Sequence, residues 1–77
     1  MTRDEFLFLI QTEKPYEFTF SGVKYNLTYD KDSSGKTRIV FGRLYEGKKY
    51  DSYGELMNNA KVDNHFFREI LPDLPKN

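Results

Sequence analysis

From Tyr16 to Tyr29 the apolar residues recur with a period of two, interrupted once. Tyr16, Phe18 and Phe20 alternate with Glu17, Thr19 and Ser21; Val23, Tyr25, Leu27 and Tyr29 then alternate with Lys24, Asn26 and Thr28. Successive side chains of a strand point to opposite faces, so this spacing buries one face and leaves the other in water. The interruption is Ser21-Gly22, a connection so short that it permits only an antiparallel hairpin. A two-stranded ribbon with one apolar face is not stable alone, so the rest of the chain must extend and cover it.

The segments on either side read as helices and one further strand. Thr2 and Glu5 have the spacing of a capping box, with Met1 and Phe6 as its hydrophobic staple. Phe6, Leu9 and Ile10 then share a helix face with Leu7 at its edge, while Phe8 lies about 200° around from Phe6. Pro15, with Lys14 before it, ends this helix. After the polar loop Asp30 to Gly35, a third strand is expected from Lys36 to about Tyr45. Ile39 and Phe41 lie on one face of it, Arg38 and Val40 on the other. Gly42 predicts a bulge whose phase change would bring Leu44 to the face of Ile39 and Phe41. Glu46-Gly47-Lys48-Lys49 is the next expected turn.

Ser52 and Glu55 form a second capping box ahead of the stripe Tyr53, Leu56, Met57 and Ala60. A last helix is expected with Asp63 as N-cap and Val62 and Phe67 in staple positions. Phe66, Phe67, Ile70 and Leu71 would form its apolar face, and Pro72 and Pro75 would stop it. The expected fold class is α+β in the order α-β-β-β-α-α, a three-stranded antiparallel sheet packed on helices, as one domain over residues 1–77.

Composition narrows function. No cysteine is present, so neither a disulfide framework nor a thiolate ligand or nucleophile is available. His65 is the sole histidine and has no companion at metal-ligand spacing. Asp30-x-Asp32-x-Ser34-Gly35 has the start of a calcium loop, but the position of the bidentate glutamate falls at Phe41. No glycine-rich phosphate loop occurs, and Asn26-Leu27-Thr28 falls mid-strand, so that glycosylation sequon reads as a chance match. Neither a catalytic constellation nor a cofactor or metal site is therefore expected. The longest apolar run, Phe6 to Ile10, is too short for a membrane span or a secretory signal, which makes the cytoplasm the expected location.

Charge and aromatic residues mark the candidate contact positions. Lys plus Arg equal Asp plus Glu at 12 each, a balance unlike that of a nucleic-acid coat protein or an acidic DNA mimic. Within it, Lys36, Arg38, Arg43, Lys48 and Lys49 against Glu46 give the third strand and its turn a local excess of +4. Tyr45, Tyr50 and Tyr53 interleave with them and could stack on bases or sit against a protein. An edge strand also carries basic residues simply to prevent edge-to-edge pairing. Phe8, outside its helix stripe, is the other candidate, either widening the core or seeding a protein-binding patch.

Two stretches, Tyr16 to Tyr25 and Tyr50 to Leu56 with Asn59-Ala60-Lys61-Val62 and Glu69-Ile70-Leu71, carry a resemblance. The chain resembles short uncharacterised bacterial proteins in which a Phe-x-Tyr-x-Gly-Lys-Lys-Tyr hairpin precedes a Tyr-x-Ser-x-x-Glu-Leu helix. Val23 stands here in place of the first lysine of that turn. The resemblance implies the fold and a bacterial or phage origin, and assigns no site.

The leading expectation is thus a non-catalytic protein-binding module, with Phe8, Arg38, Arg43, Tyr45, Lys48, Lys49 and Tyr50 as candidate partner-binding residues. One form is an inhibitor of a host protein such as an RNA-guided nuclease. Anti-CRISPR proteins are similarly short and cysteine-poor, although many are markedly acidic. The alternative is a nucleic-acid-binding domain using the basic strand and turn at 36–49. The expected oligomeric state is a monomer or weak homodimer paired through the third-strand edge.

Overall fold

In the computed structural model, which describes residues 1–75, the chain is α+β. Helix α1 (Arg3–Gln11) is followed by strands β1 (Tyr16–Phe20), β2 (Val23–Lys31), β3 (Thr37–Arg43) and β4 (Lys48–Tyr50). Helix α2 (Tyr53–Asn59), a small hairpin of β5 (Lys61–Val62) and β6 (His65–Phe66), helix α3 (Phe67–Ile70) and a 3-10 turn over Leu71–Asp73 complete it. The main sheet is an antiparallel meander in the order β1-β2-β3-β4. It has four strands where three were expected. The fourth consists of Lys48-Lys49-Tyr50, too short and too basic to show an alternation, and Tyr50 becomes its buried member opposite Ile39.

Local chemistry sets the elements. Thr2 Oγ1 accepts from the Glu5 N–H at 3.1 Å and Glu5 Oε1 accepts from the Thr2 N–H at 2.7 Å, so the first capping box is complete. The helix closes one turn before Pro15. Glu13 takes the left-handed conformation, φ 52°, and the N–H groups of Glu13 and Lys14 donate to the carbonyls of Ile10 and Leu9. That is a Schellman cap with glutamate in the place of glycine. At α2, Ser52 Oγ accepts from the Glu55 N–H as expected, but the Glu55 carboxylate accepts from Asp51 N–H rather than closing back on Ser52.

Both short hairpins turn on residue pairs with positive φ. Ser21 (50°) and Gly22 (76°) join β1 to β2, and Asp63 (49°) and Asn64 (69°) join β5 to β6, as two-residue type I′ turns demand. The second pair corrects the expected helix start. Asp63 is not an N-cap; Asp and Asn tolerate the left-handed region, so Asp63-Asn64 makes a turn and the helix begins only at Phe67. Phe66 accordingly leaves the helical stripe. It sits half-exposed on β6, with Lys61 Nζ 5.3 Å and the Arg68 guanidinium 4.6 Å from its ring centroid.

Gly42 makes no bulge. The register runs unbroken through Leu27 opposite Phe41, Asn26 opposite Gly42 and Tyr25 opposite Arg43. Leu44 therefore falls on the face of Val40, away from Ile39 and Phe41. Glycine is needed at 42 because the β3–β4 turn folds back over it: a Cβ there would stand 3.1 Å from the Glu46 carbonyl oxygen and 3.1 Å from Gly47 Cα.

One face of the sheet contributes to a contiguous core. Tyr16 and Phe18, Tyr25 and Leu27, Ile39 and Phe41, and Tyr50 come from its strands; Phe6 and Leu9, Leu56 and Met57, and Phe67, Ile70 and Leu71 come from the helical segments and the 3-10 turn. Phe67 is the keystone, fully buried with its ring centroid 4.6 Å from Phe41 and 4.9 Å from Phe6. Tyrosine hydroxyls tie distant backbone to this core: Tyr29 donates to the carbonyls of Leu9 and Lys14, and Tyr16 to that of Pro75. Among the described residues no helix is long and apolar enough to cross a membrane.

Candidate functional site

The strands divide the basic residues between two faces. The parity that buries Ile39 and Phe41 sends Arg38 to the open face, and Lys49, opposite Val40, joins it there. On that face Lys36 Nζ and Arg38 Nε lie 3.7 Å and 3.6 Å from Asp51 Oδ1, and Lys49 Nζ lies 2.9 Å from Asp30 Oδ2. Lys24 pairs with Glu17 at 3.6 Å. Of the five cations in the basic stretch, Lys36, Arg38 and Lys49 are thus met in space by carboxylates from the end of β2 and from the residue after β4.

Arg43 and Lys48 belong to the other parity and reach the rim of the core face. The β5–β6 hairpin sets Lys61 beside them, and the three line one cleft of about 500 Å³ together with Glu46 and Asp63. Tyr25, Phe41 and Tyr50 form its aromatic floor, and Asn59 and Asn64 supply amides. Burial, and then the Glu55 carboxylate, push the Tyr50 phenol above its ordinary range. Among the described residues Arg43, Lys48 and Lys61 have no ion-pair partner, in contrast to the four paired cations of the open face.

Tyr45 stands beside this cleft, between Arg43 and Glu46 in the β3–β4 turn, and is 95 % exposed. The Glu46 N–H donates to the Arg43 carbonyl at 2.8 Å, and Tyr45 has φ 71° while Leu44 does not share the positive φ. Tyr45 therefore occupies the third position of a type II turn, where glycine or asparagine is usual. The Leu44 N–H donates to the Lys24 carbonyl, which prolongs the β2–β3 ladder and carries the Tyr45 end of the turn toward Val23. Val23, 36 % exposed, and Tyr45 are two of the exposed large hydrophobic residues, and both lie at this end of the sheet. His65 is here too, edge-on to Phe20 with ring centroids 6.1 Å apart.

The remaining candidates lie elsewhere or inside. Tyr50 is 9 % exposed and belongs to the core, so it is the cleft's floor and not a projecting contact. Phe8 is 53 % exposed on the outer side of α1, with Lys14 Nζ 5.4 Å from its ring centroid, and does not line the cleft. Asp32 Oδ1 accepts from Ser34 N–H, Ser34 Oγ–H and Lys36 N–H, which holds its carboxyl below the usual range and spends the carboxylate on the loop's own backbone. No cluster of metal-ligating side chains occurs among the described residues.

Asn59, Lys61, Asp63 and Asn64 were not among the candidate contact residues expected from the sequence. The Asp-Asn pair between Val62 and His65 is a hairpin signal that could have revealed β5 and β6. Nothing in the sequence places that hairpin against the β3–β4 turn. No protein-family model, curated protein or solved structure matches the chain.

Proposed function

We propose that this protein is a non-catalytic protein-binding module of bacterial or phage origin, whose contact surface is the turn end of the sheet around Tyr45. The observation that carries the reading is Tyr45 itself: a bulky side chain held in a left-handed backbone yet almost wholly in solvent. Such backbone costs roughly 1–2 kcal/mol for a residue with a Cβ, and no burial of the ring offsets it. Tyrosine and arginine dominate binding hot spots, and Arg43 adjoins Tyr45 within the same turn. A basic strand serving nucleic acid has less support, since Lys36, Arg38 and Lys49 already face Asp51 and Asp30.

Tagged protein incubated with bacterial lysate, with and without nuclease treatment and at low and high salt, is expected to retain in every arm a discrete protein that the Tyr45→Gly variant loses. Recovery of nucleic acid alone, at low salt only, would refute the reading. The inhibitor form has its own test: a panel of RNA-guided nucleases whose cleavage is unaffected by the protein would remove it.

A further inference from the structure

We infer that the cleft beside Tyr45 receives an acidic peptide segment of the partner, its carboxylates set against Arg43, Lys48 and Lys61. The inference rests on the protein-binding reading and narrows its partner. Charge separates this cleft from the open face of the sheet. Lys24, Lys36, Arg38 and Lys49 each face a carboxylate of the same chain, whereas the three cleft cations face none within ion-pair distance among the described residues. An arginine guanidinium offers a planar fork that matches a carboxylate, and Lys48 and Lys61 add point charges to the same cleft. Lys61 is held in place by its ammonium lying over the Phe66 ring.

The same lining favours a short segment over an extended polyanion. Glu46 and Asp63 interrupt the positive rim, so a phosphate backbone tracking along it would meet two negative groups. One or two carboxylates flanked by amide groups avoid them. Asn59 and Asn64 supply complementary side-chain amides, and Asn59 is fixed by the bond from its Nδ2 to the Glu55 carbonyl, 2.8 Å. A volume of about 500 Å³ admits a few side chains, and Tyr45 with Val23 provides apolar contact next to it.

The test uses the full chain, labelled with nitrogen-15, and two blocked pentapeptides, Gln-Glu-Phe-Glu-Gln and Gln-Gln-Phe-Gln-Gln, followed by amide chemical-shift titration. The acidic peptide is expected to move the resonances of Arg43, Lys48, Asn59, Lys61 and Asn64, and the neutral one to leave them in place. Arg43→Gln combined with Lys48→Gln should weaken the acidic peptide about tenfold, as losing two partly exposed charge pairs requires, with an otherwise unchanged spectrum. Shifts centred on Lys24, Arg38 and Lys49, equal response to both peptides, or tighter binding of a single-stranded oligonucleotide of the same charge would overturn the inference. A lysate partner lost in Tyr45→Gly but kept in the double glutamine variant would overturn it as well, while leaving the protein-binding reading intact.

Discussion

Lys49 on β4 and Asp30 on β2 form an ion pair of 2.9 Å that reaches across the intervening strand β3. With Asp51 holding Lys36 and Arg38, it sets three of the five cations of the basic stretch against two carboxylates on the open face. Both partners are about half exposed, so the pair contributes little to stability. Lys49→Ala and Arg38→Ala are each expected to lower unfolding free energy by less than about 1 kcal/mol in urea titrations, with the difference shrinking in salt. Neither should alter partner binding; a loss comparable to that of Arg43→Gln would return the open face to consideration.

Tyr45→Gly should make the protein more stable while removing its contact residue. Relief of the left-handed backbone outweighs the added flexibility of the unfolded chain by about 0.5–1 kcal/mol. Denaturant melts would show a higher midpoint at an unchanged slope. A destabilised variant would mean that Tyr45 is held by contacts within the fold, and the binding argument would lose its main support.

Gly47 is constrained by its neighbour and not by its dihedral angles. A Cβ at 47 would stand 2.6 Å from Val40 Cγ1, a branched side chain with little rotamer freedom. Gly47→Ala is expected to cost about 1–3 kcal/mol. In the Val40→Ala background most of that penalty should vanish, a coupling that a double-mutant cycle measures directly. Additive costs would show that the turn adjusts by another route.

Tyr29 predicts a dependence on alkaline pH. Burial, and then the Glu13 carboxylate, push its phenol up to about 12 from an ordinary 10.0. Between those values the unfolded chain has released the proton and the folded chain has kept it, so stability falls as pH rises. The contribution is whole below pH 10 and is lost through the window that ends near 12. Tyr29→Phe removes the donor to the Leu9 and Lys14 carbonyls and should cost about 1 kcal/mol at neutral pH. The variant should also fall less steeply than the parent between pH 10 and 12 in thermal melts; a parallel fall would assign the alkaline loss to Tyr16 and Tyr50, both raised by burial.

Elements fixed by nearby residues were legible in the sequence. The Thr2–Glu5 cap, the alternation of β1 and β2 about Ser21-Gly22 and the Leu56, Met57, Ala60 stripe each rest on interactions spanning a few positions, and each is present. Where two local signals competed, the sequence left the choice open: Asp63 suits a helix N-cap and a type I′ turn equally, and the pairing of Val62 with His65 decided for the turn. Strand β4 escaped because three residues cannot display a period, and its pairing with β3 alone makes it a strand.

The candidate site was legible only as residue types. The sequence by itself determined that Arg43, Tyr45 and Lys48 lie close along the chain, because covalent neighbours stay neighbours. That Arg38 and Lys49 face away from Arg43 and Lys48 follows from strand register, which a bulge at Gly42 would have changed. That Lys61 and Asn64 join the cleft was decided by the tertiary structure alone: Phe67 packs against Phe41 and draws the preceding hairpin to the turn end of the sheet. Charge and aromaticity are properties of a sequence, whereas which charges meet, and which are cancelled, depends on packing between segments far apart in the chain.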